Sequence, residues 1–134
     1  MDMAADNEAR FQARYGVAHC CAADVPISLL RGAGASGVSL DLGVLAASGY
    51  DDLATVLDEG GQVFLGVAPS TGTSAPSAKS VIERVQRLLD MIGLDAGEVS
   101  EQLVLTPACG LGGATTSYAA QVLGSLQEAA RELG

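Results

Sequence analysis

The sequence predicts an α/β protein built on a parallel sheet, and three observations lead there. Short apolar runs alternate with helical patterns through four consecutive units, and no two runs are joined by a tight hairpin. Runs such as Val63-Phe64-Leu65-Gly66-Val67 are apolar on both faces, as strands covered on both sides would be.

The first strand is Gly16-Val17-Ala18-His19-Cys20, and Pro26 then opens a short helix through Ile27, Leu29 and Leu30 that Gly32-Ala33-Gly34 stops. Gly37-Val38-Ser39-Leu40-Asp41-Leu42 is the second strand. Its helix runs from Tyr50 to Leu57, with Leu53, Val56 and Leu57 on one face and Gly60-Gly61 as the stop. Gln62 to Val67 is the third strand, followed by a loop rich in Ser, Thr, Gly and Pro from Pro69 to Ser77. The clearest helix carries Val81, Val85, Leu88, Leu89 and Ile92 at helical spacing, and Ser80 with Glu83 has the form of a capping box, with a start a few residues earlier as the alternative. Gln102-Leu103-Val104-Leu105 is the fourth strand, and Ser117 to Leu133 a closing helix with Val122, Leu126 and Ala130 on one stripe. Residues 1–16 read as an acidic lead-in, helical or disordered, and residues 17–134 as one domain.

Composition excludes several functions. Seven Lys and Arg stand against 16 Asp and Glu, a formal charge of -9, with no basic cluster to track phosphates or an anionic membrane. Nucleic acid and membrane are therefore not expected partners. The polar, acidic N-terminus lacks the features of a signal peptide, and no apolar run approaches the ~20 residues of a membrane span, so a cytoplasmic location is expected. Three cysteines, two of them adjacent, make a poor disulfide framework. Reduced thiols, available as ligands or nucleophiles, fit better.

The chemistry-bearing residues gather at strand ends. Two architectures suit a run of strand-helix units, an open doubly wound sheet or part of a (β/α)8 barrel, and both collect functional groups at the carboxyl ends of their strands. His19 and Cys21 end the first strand, Asp41 the second, Pro69 and Ser70 follow the third, and Cys109 follows the fourth. Residues two apart on an extended segment point the same way, so His19 and Cys21 can face one ion while Cys20 faces away. Imidazole and thiolate are zinc donors, and Cys109 and Asp41 are the candidates to complete the set. Two thiolates and a carboxylate around Zn²⁺ leave a net charge of about -1, which favours holding a nucleophilic substrate thiolate over strong Lewis-acid chemistry. Spacing alone leaves a second reading open, in which the cysteines are inert hydrophobes and His19 is merely hydrogen-bonded.

Four segments in order, Val17-Ala18-His19-Cys20-Cys21, Gly37-Val38-Ser39-Leu40-Asp41, Leu65-Gly66-Val67 and Leu105-Thr106-Pro107-Ala108-Cys109-Gly110-Leu111, resemble the C-terminal catalytic barrel of cobalamin-independent methionine synthases. The resemblance runs from Val17 to the end of the chain and covers the second half of that (β/α)8 TIM barrel. It implies a zinc site of His19, Cys21, Asp41 and Cys109, which would activate the thiol of homocysteine for methylation by a methyl-folate in methionine biosynthesis. Asp41 stands where the family usually has Glu. Ala68-Pro69-Ser70 replaces the family's Asp-x-His, whose His is a proposed proton donor. The resemblance also implies a partner half-barrel or a homodimer, because four units leave two open sheet edges. The methylcobamide:thiol methyltransferases share this barrel and a similar zinc set, and a non-catalytic zinc-binding fragment is the remaining alternative.

Weaker features are read conservatively. Gly110, Gly112 and Gly113 before Thr115-Thr116-Ser117 read as a strand-to-helix turn with an N-cap in preference to an anion site. Tyr118 is assigned to the core or surface, and the serines between 70 and 77 have no partnered base to make a nucleophile.

Overall fold

A computed structural model of the chain describes residues 16–134. The expected lead-in, Gly16 excepted, lies outside the described residues. The elements follow the predicted alternation: β1 (Val17–Cys20), α1 (Ile27–Gly32), β2 (Gly37–Asp41), α2 (Ser48–Asp58), β3 (Gln62–Ala68), α3 (Ala78–Ile92), α4 (Ala96–Val99), β4 (Leu103–Pro107) and α5 (Thr116–Leu133).

The four strands form one sheet in the order β1-β2-β3-β4, and every pairing is parallel. Spatial order therefore equals chain order and never reverses. A doubly wound sheet needs a reversal to create its switch point, whereas a barrel keeps adding strands in one direction. The architecture is that of half a barrel, which decides between the two candidates.

Alternation along the strands sorts the side chains. Val38, Leu40, Val63, Leu65 and Val67 are each no more than 1% exposed and belong to the same core as Ile27, Leu53, Val56, Val81, Val85, Leu89, Val122 and Leu126 from the helices. The intervening residues lie on the opposite face. There the register aligns His19 with Ser39, Ser39 with Phe64, and Phe64 with Val104 in a single row. Phe64 is half-buried and Val104 is 37% exposed. The expectation of burial on both faces thus holds for one face only among the described residues.

Two local expectations need correction. Helix α3 takes the earlier start, at Ala78, with Ser77 in place of Ser80 as its cap: Ser77 is extended and its hydroxyl accepts the Ser80 N–H at 3.2 Å, so Ser80 lies in the first turn. Helix α5 buries Tyr118, Val122, Leu126 and Ala129, while Ala130 is exposed. Spacing of three after Leu126 keeps the stripe against the sheet where spacing of four carries it outward. Thr115 caps α5 by accepting the Tyr118 N–H at 3.1 Å, as the turn-with-cap reading expected. Tyr118 is 2% exposed and its hydroxyl donates to the Pro69 carbonyl at 2.6 Å, which anchors the β3–α3 loop to α5.

Strand β3 is irregular at its carboxyl end. Gly66 pairs with Thr106 but Ala68 pairs with Pro107, a bulge that displaces Val67 from the ladder. The Val67 carbonyl instead accepts from Arg84 Nη1 of α3 at 2.6 Å. Leu65, fully buried in this strand, tests the core: Leu65→Ala is expected to lower unfolding free energy by roughly 2–5 kcal/mol, read from the urea midpoint at unchanged slope.

Candidate functional site

Strands β1 and β4 are opposite edges of the sheet. In a flat sheet, three intervals of about 4.8 Å would hold them some 14 Å apart. Their carboxyl ends nevertheless meet, because the chain leaving β4 turns across the strand ends toward β1. Ala108 donates its N–H to the Ala68 carbonyl at 2.8 Å, which draws the chain over the end of β3. It passes directly above Gly66. A β-carbon at Gly66 would lie 2.8 Å from Ala108 Cα and 2.7 Å from the Leu40 carbonyl oxygen, so only glycine leaves room for this crossing.

The next residue is Cys109. Its Sγ lies 3.6 Å from His19 Nε2 and 3.7 Å from Cys21 Sγ, and the donor atoms of all three residues lie within 4.8 Å of one another. All three residues are exposed, as a site at a strand-end rim would be. Cys20 points elsewhere and packs partly buried against the core, as alternation along β1 predicts.

Two serines brace the cluster. Ser39, opposite His19 in the register, places its Oγ 2.8 Å from His19 Nδ1. With the imidazole proton on Nδ1, that nitrogen donates to Ser39 and the Nε2 lone pair faces the sulfurs. Ser70 Oγ accepts the Cys109 N–H at 2.6 Å and ties the β3–α3 loop to the β4–α5 turn. The reading from residues alone singled out neither role. Ser39 had a signal, being a polar interruption on the same strand face as Asp41, and Ser70 was expected on the rim after the third strand, though not as a partner of Cys109.

Of the four anticipated ligands, the structure brings together His19, Cys21 and Cys109. Asp41 ends β2 two residues beyond Ser39 and is not among the three clustered residues; its Oδ1 accepts the Gly43 N–H at 2.8 Å in a local turn. One methylene shorter than Glu, it is held by its own backbone.

The Cys109 sulfur perturbs Cys21. The Cys21 thiol is raised above its ordinary range, first by its hydrogen bond with Cys109 and then by the repulsion between the two groups as charges. A pair of thiolates at this distance is unfavourable unless a cation lies between them. A cavity of about 560 Å³ between α1 and α2, lined by Ser28, Arg31, Asp52 and Glu59 among others, shares no residue with this cluster.

The donor set passes a geometric test for zinc. With Zn–S near 2.3 Å and Zn–N near 2.05 Å, a tetrahedral ion sets its sulfurs about 3.8 Å apart and a sulfur and a nitrogen about 3.6 Å apart. The Cys21–Cys109 and Cys109–His19 separations of 3.7 and 3.6 Å match both values. The third pair, His19 with Cys21, lies within the 4.8 Å limit.

Fold and rim together define the class: a (β/α)-barrel domain, present as half a barrel, with an imidazole and two thiols clustered at the strand ends. Residues 10–132 match the family described as cobalamin-independent synthase, catalytic domain, and the chain belongs to that family. The family implies a catalytic domain of the cobalamin-independent methionine synthase type, of which the four units seen here are a part. No curated protein matches the chain.

The crossing above Gly66 can be tested against a glycine with open surroundings. Gly66→Ala is expected to cost roughly 1–3 kcal/mol of stability by overpacking, whereas Gly112→Ala, with no atom within 4 Å of the new methyl, should stay within about 0.5 kcal/mol of the parent. Urea unfolding of both variants makes the comparison.

Proposed function

We propose that this chain carries the zinc-binding part of a thiol methyltransferase that methylates homocysteine from a methyl-folate, as a step of methionine biosynthesis in the cytoplasm. The observation that carries the reading is the pair of donor separations, which match those around a tetrahedral zinc ion. Family membership supports it independently.

His19, Cys21 and Cys109 would hold the ion, and the remaining position would be open to a substrate thiol. Asp41 is the candidate fourth ligand, in the position that the substrate thiol would take from it on binding. Zinc, when bound, stabilises a substrate thiol as its thiolate at neutral pH. Two thiolate donors offset the ion's charge, so the substrate sulfur keeps its nucleophilicity toward a methyl group.

The remaining work falls to this chain's own residues. Ser39 fixes the ring of His19, in the way that partners of metal-bound histidines fix tautomer and orientation. Ser70 and the Ala108–Ala68 hydrogen bond hold the Cys109 turn at its height above the sheet. Ser70 occupies the segment where the resemblance leads one to expect an Asp-x-His, so the family's proton donor has no counterpart there. Protonation of the departing folate would then fall to solvent or to a group from outside these four units.

The sheet face that carries His19 is partly exposed among the described residues, which supports a further element of the proposal. His19, Ser39, Phe64 and Val104 form its central row, and β1 and β4 are edge strands among the described residues. Four more β-α units, in the same chain, in a partner or in a second copy, would cover the row and pair both edges. They would also supply surfaces for the amino acid and the folate.

Metal analysis of the purified chain should find one zinc per chain, lost in Cys21→Ser and in Cys109→Ser. Stoichiometric zinc that survives both substitutions would overturn the proposed site. Ser39→Ala is expected to weaken zinc binding by about 10- to 100-fold, measured by competition with a chromogenic chelator. Methyl transfer to homocysteine should appear when the complementary half-barrel is supplied, and its absence in that complex would overturn the enzymatic reading.

A further inference from the structure

We infer that Cys21 and Cys109 are a redox pair, closing to an intramolecular disulfide when no metal holds them apart and reopening on reduction. The geometry rests on one pair of atoms. The sulfurs are 3.7 Å apart, and a disulfide of about 2.05 Å requires a further approach of roughly 1.7 Å. Both cysteines have the freedom for it. Cys21 is the first residue past β1 and Cys109 the second past β4; both are exposed and both are free thiols.

The third cysteine does not compete. Cys20 lies within β1, partly buried and packed against the core, while its chain neighbour Cys21 is on the rim. A link between adjacent cysteines is also strained. The pair is thus selected by which face of β1 each sulfur occupies, although Cys20 and Cys21 are indistinguishable by sequence distance from Cys109.

The chemistry balances with a small disulfide such as oxidised glutathione as the oxidant. One of the two cysteines loses its proton to solvent and attacks a glutathione sulfur, breaking that S–S bond and releasing one glutathione thiolate, which takes up a proton. The other cysteine, likewise deprotonated, attacks the protein sulfur of the mixed disulfide and expels the second glutathione. Two electrons pass from the cysteines to the oxidant, which leaves as two thiols. A dithiol reductant reverses both steps. Because the same sulfurs are the proposed metal donors, the oxidised chain would bind no zinc, and a loaded site would resist oxidation.

The full chain, stripped of metal, is incubated with oxidised glutathione, denatured and assayed for free thiols, beside non-reducing electrophoresis and intact mass. One titratable thiol should remain of three, in a monomeric species lighter by two hydrogens. Cys20→Ser should still form the link, and Cys21→Ser should form none. Persistence of all three thiols, a covalent dimer in place of the internal link, or a link that survives Cys21→Ser would each overturn the inference. Zinc added before the oxidant should preserve all three thiols, and equal oxidation with and without bound zinc would overturn the claim that metal and disulfide exclude each other. This arm alone rests on the proposed metal site: a chain that forms the link but takes up no zinc upholds the redox pair and rejects the metal reading.

Discussion

The site depends on one close approach, that of the Ala108 backbone to Gly66. Parallel pairing places β1 and β4 at opposite edges of the sheet, and nothing in strand geometry brings their ends together. The chain after β4 crosses back because the end of β3 accepts the Ala108 N–H and Gly66 offers no side chain to obstruct it. The bulge beside Gly66 belongs to the same device. It frees the Val67 carbonyl, which Arg84 satisfies from α3, so the irregular strand end leaves that buried carbonyl with a partner. Helix packing, sheet register and the height of the Cys109 turn are linked through these few atoms.

The electrostatics of the rim run against the rest of the molecule. A chain of net charge -9 is a weak competitor for anions but a suitable host for a divalent cation. At the cluster the preference is local and chemical, since soft sulfur and imidazole donors stand where a hard-cation site would have carboxylates. Asp41, the carboxylate nearest in sequence logic, is occupied by the Gly43 N–H. The resting arrangement is therefore a three-donor set, with an acidic residue held back by its own turn.

Much of this was legible in the residues. Alternation of apolar runs and helical spacing was enough to locate the four strands and every helix but the single turn of α4, and the two-residue period of a strand separated Cys21 from Cys20. The choice between a doubly wound sheet and a barrel was not legible from spacing, because it depends on strand order, which no local pattern encodes. The Ser77 cap was obscured by a second serine three residues later with a capping-box partner. Burial of Ala129 in place of Ala130 turned on a helix phase that small residues barely mark. The bulge, the clearance above Gly66 and the brace from Ser70 are products of register between segments far apart in the chain. Asp41 had the right position at a strand end, but the backbone turn that claims its carboxylate emerges only once the Leu42–Gly43 segment is folded.

The span of chain between the two sulfurs has a consequence for how the protein matures. Cys21 and Cys109 are separated by 88 residues, and three of the four strands and the first four helices lie between them. Their meeting requires β3 and β4 to be paired and the crossing over Gly66 already made, so the cluster is among the contacts of highest sequence separation in the domain and forms after the loop-closure cost of the sheet has been met. In small zinc modules the ion organises the chain around itself. Here the polypeptide must build the cradle first, and any ion taken up at the cluster would arrive after the sheet is paired.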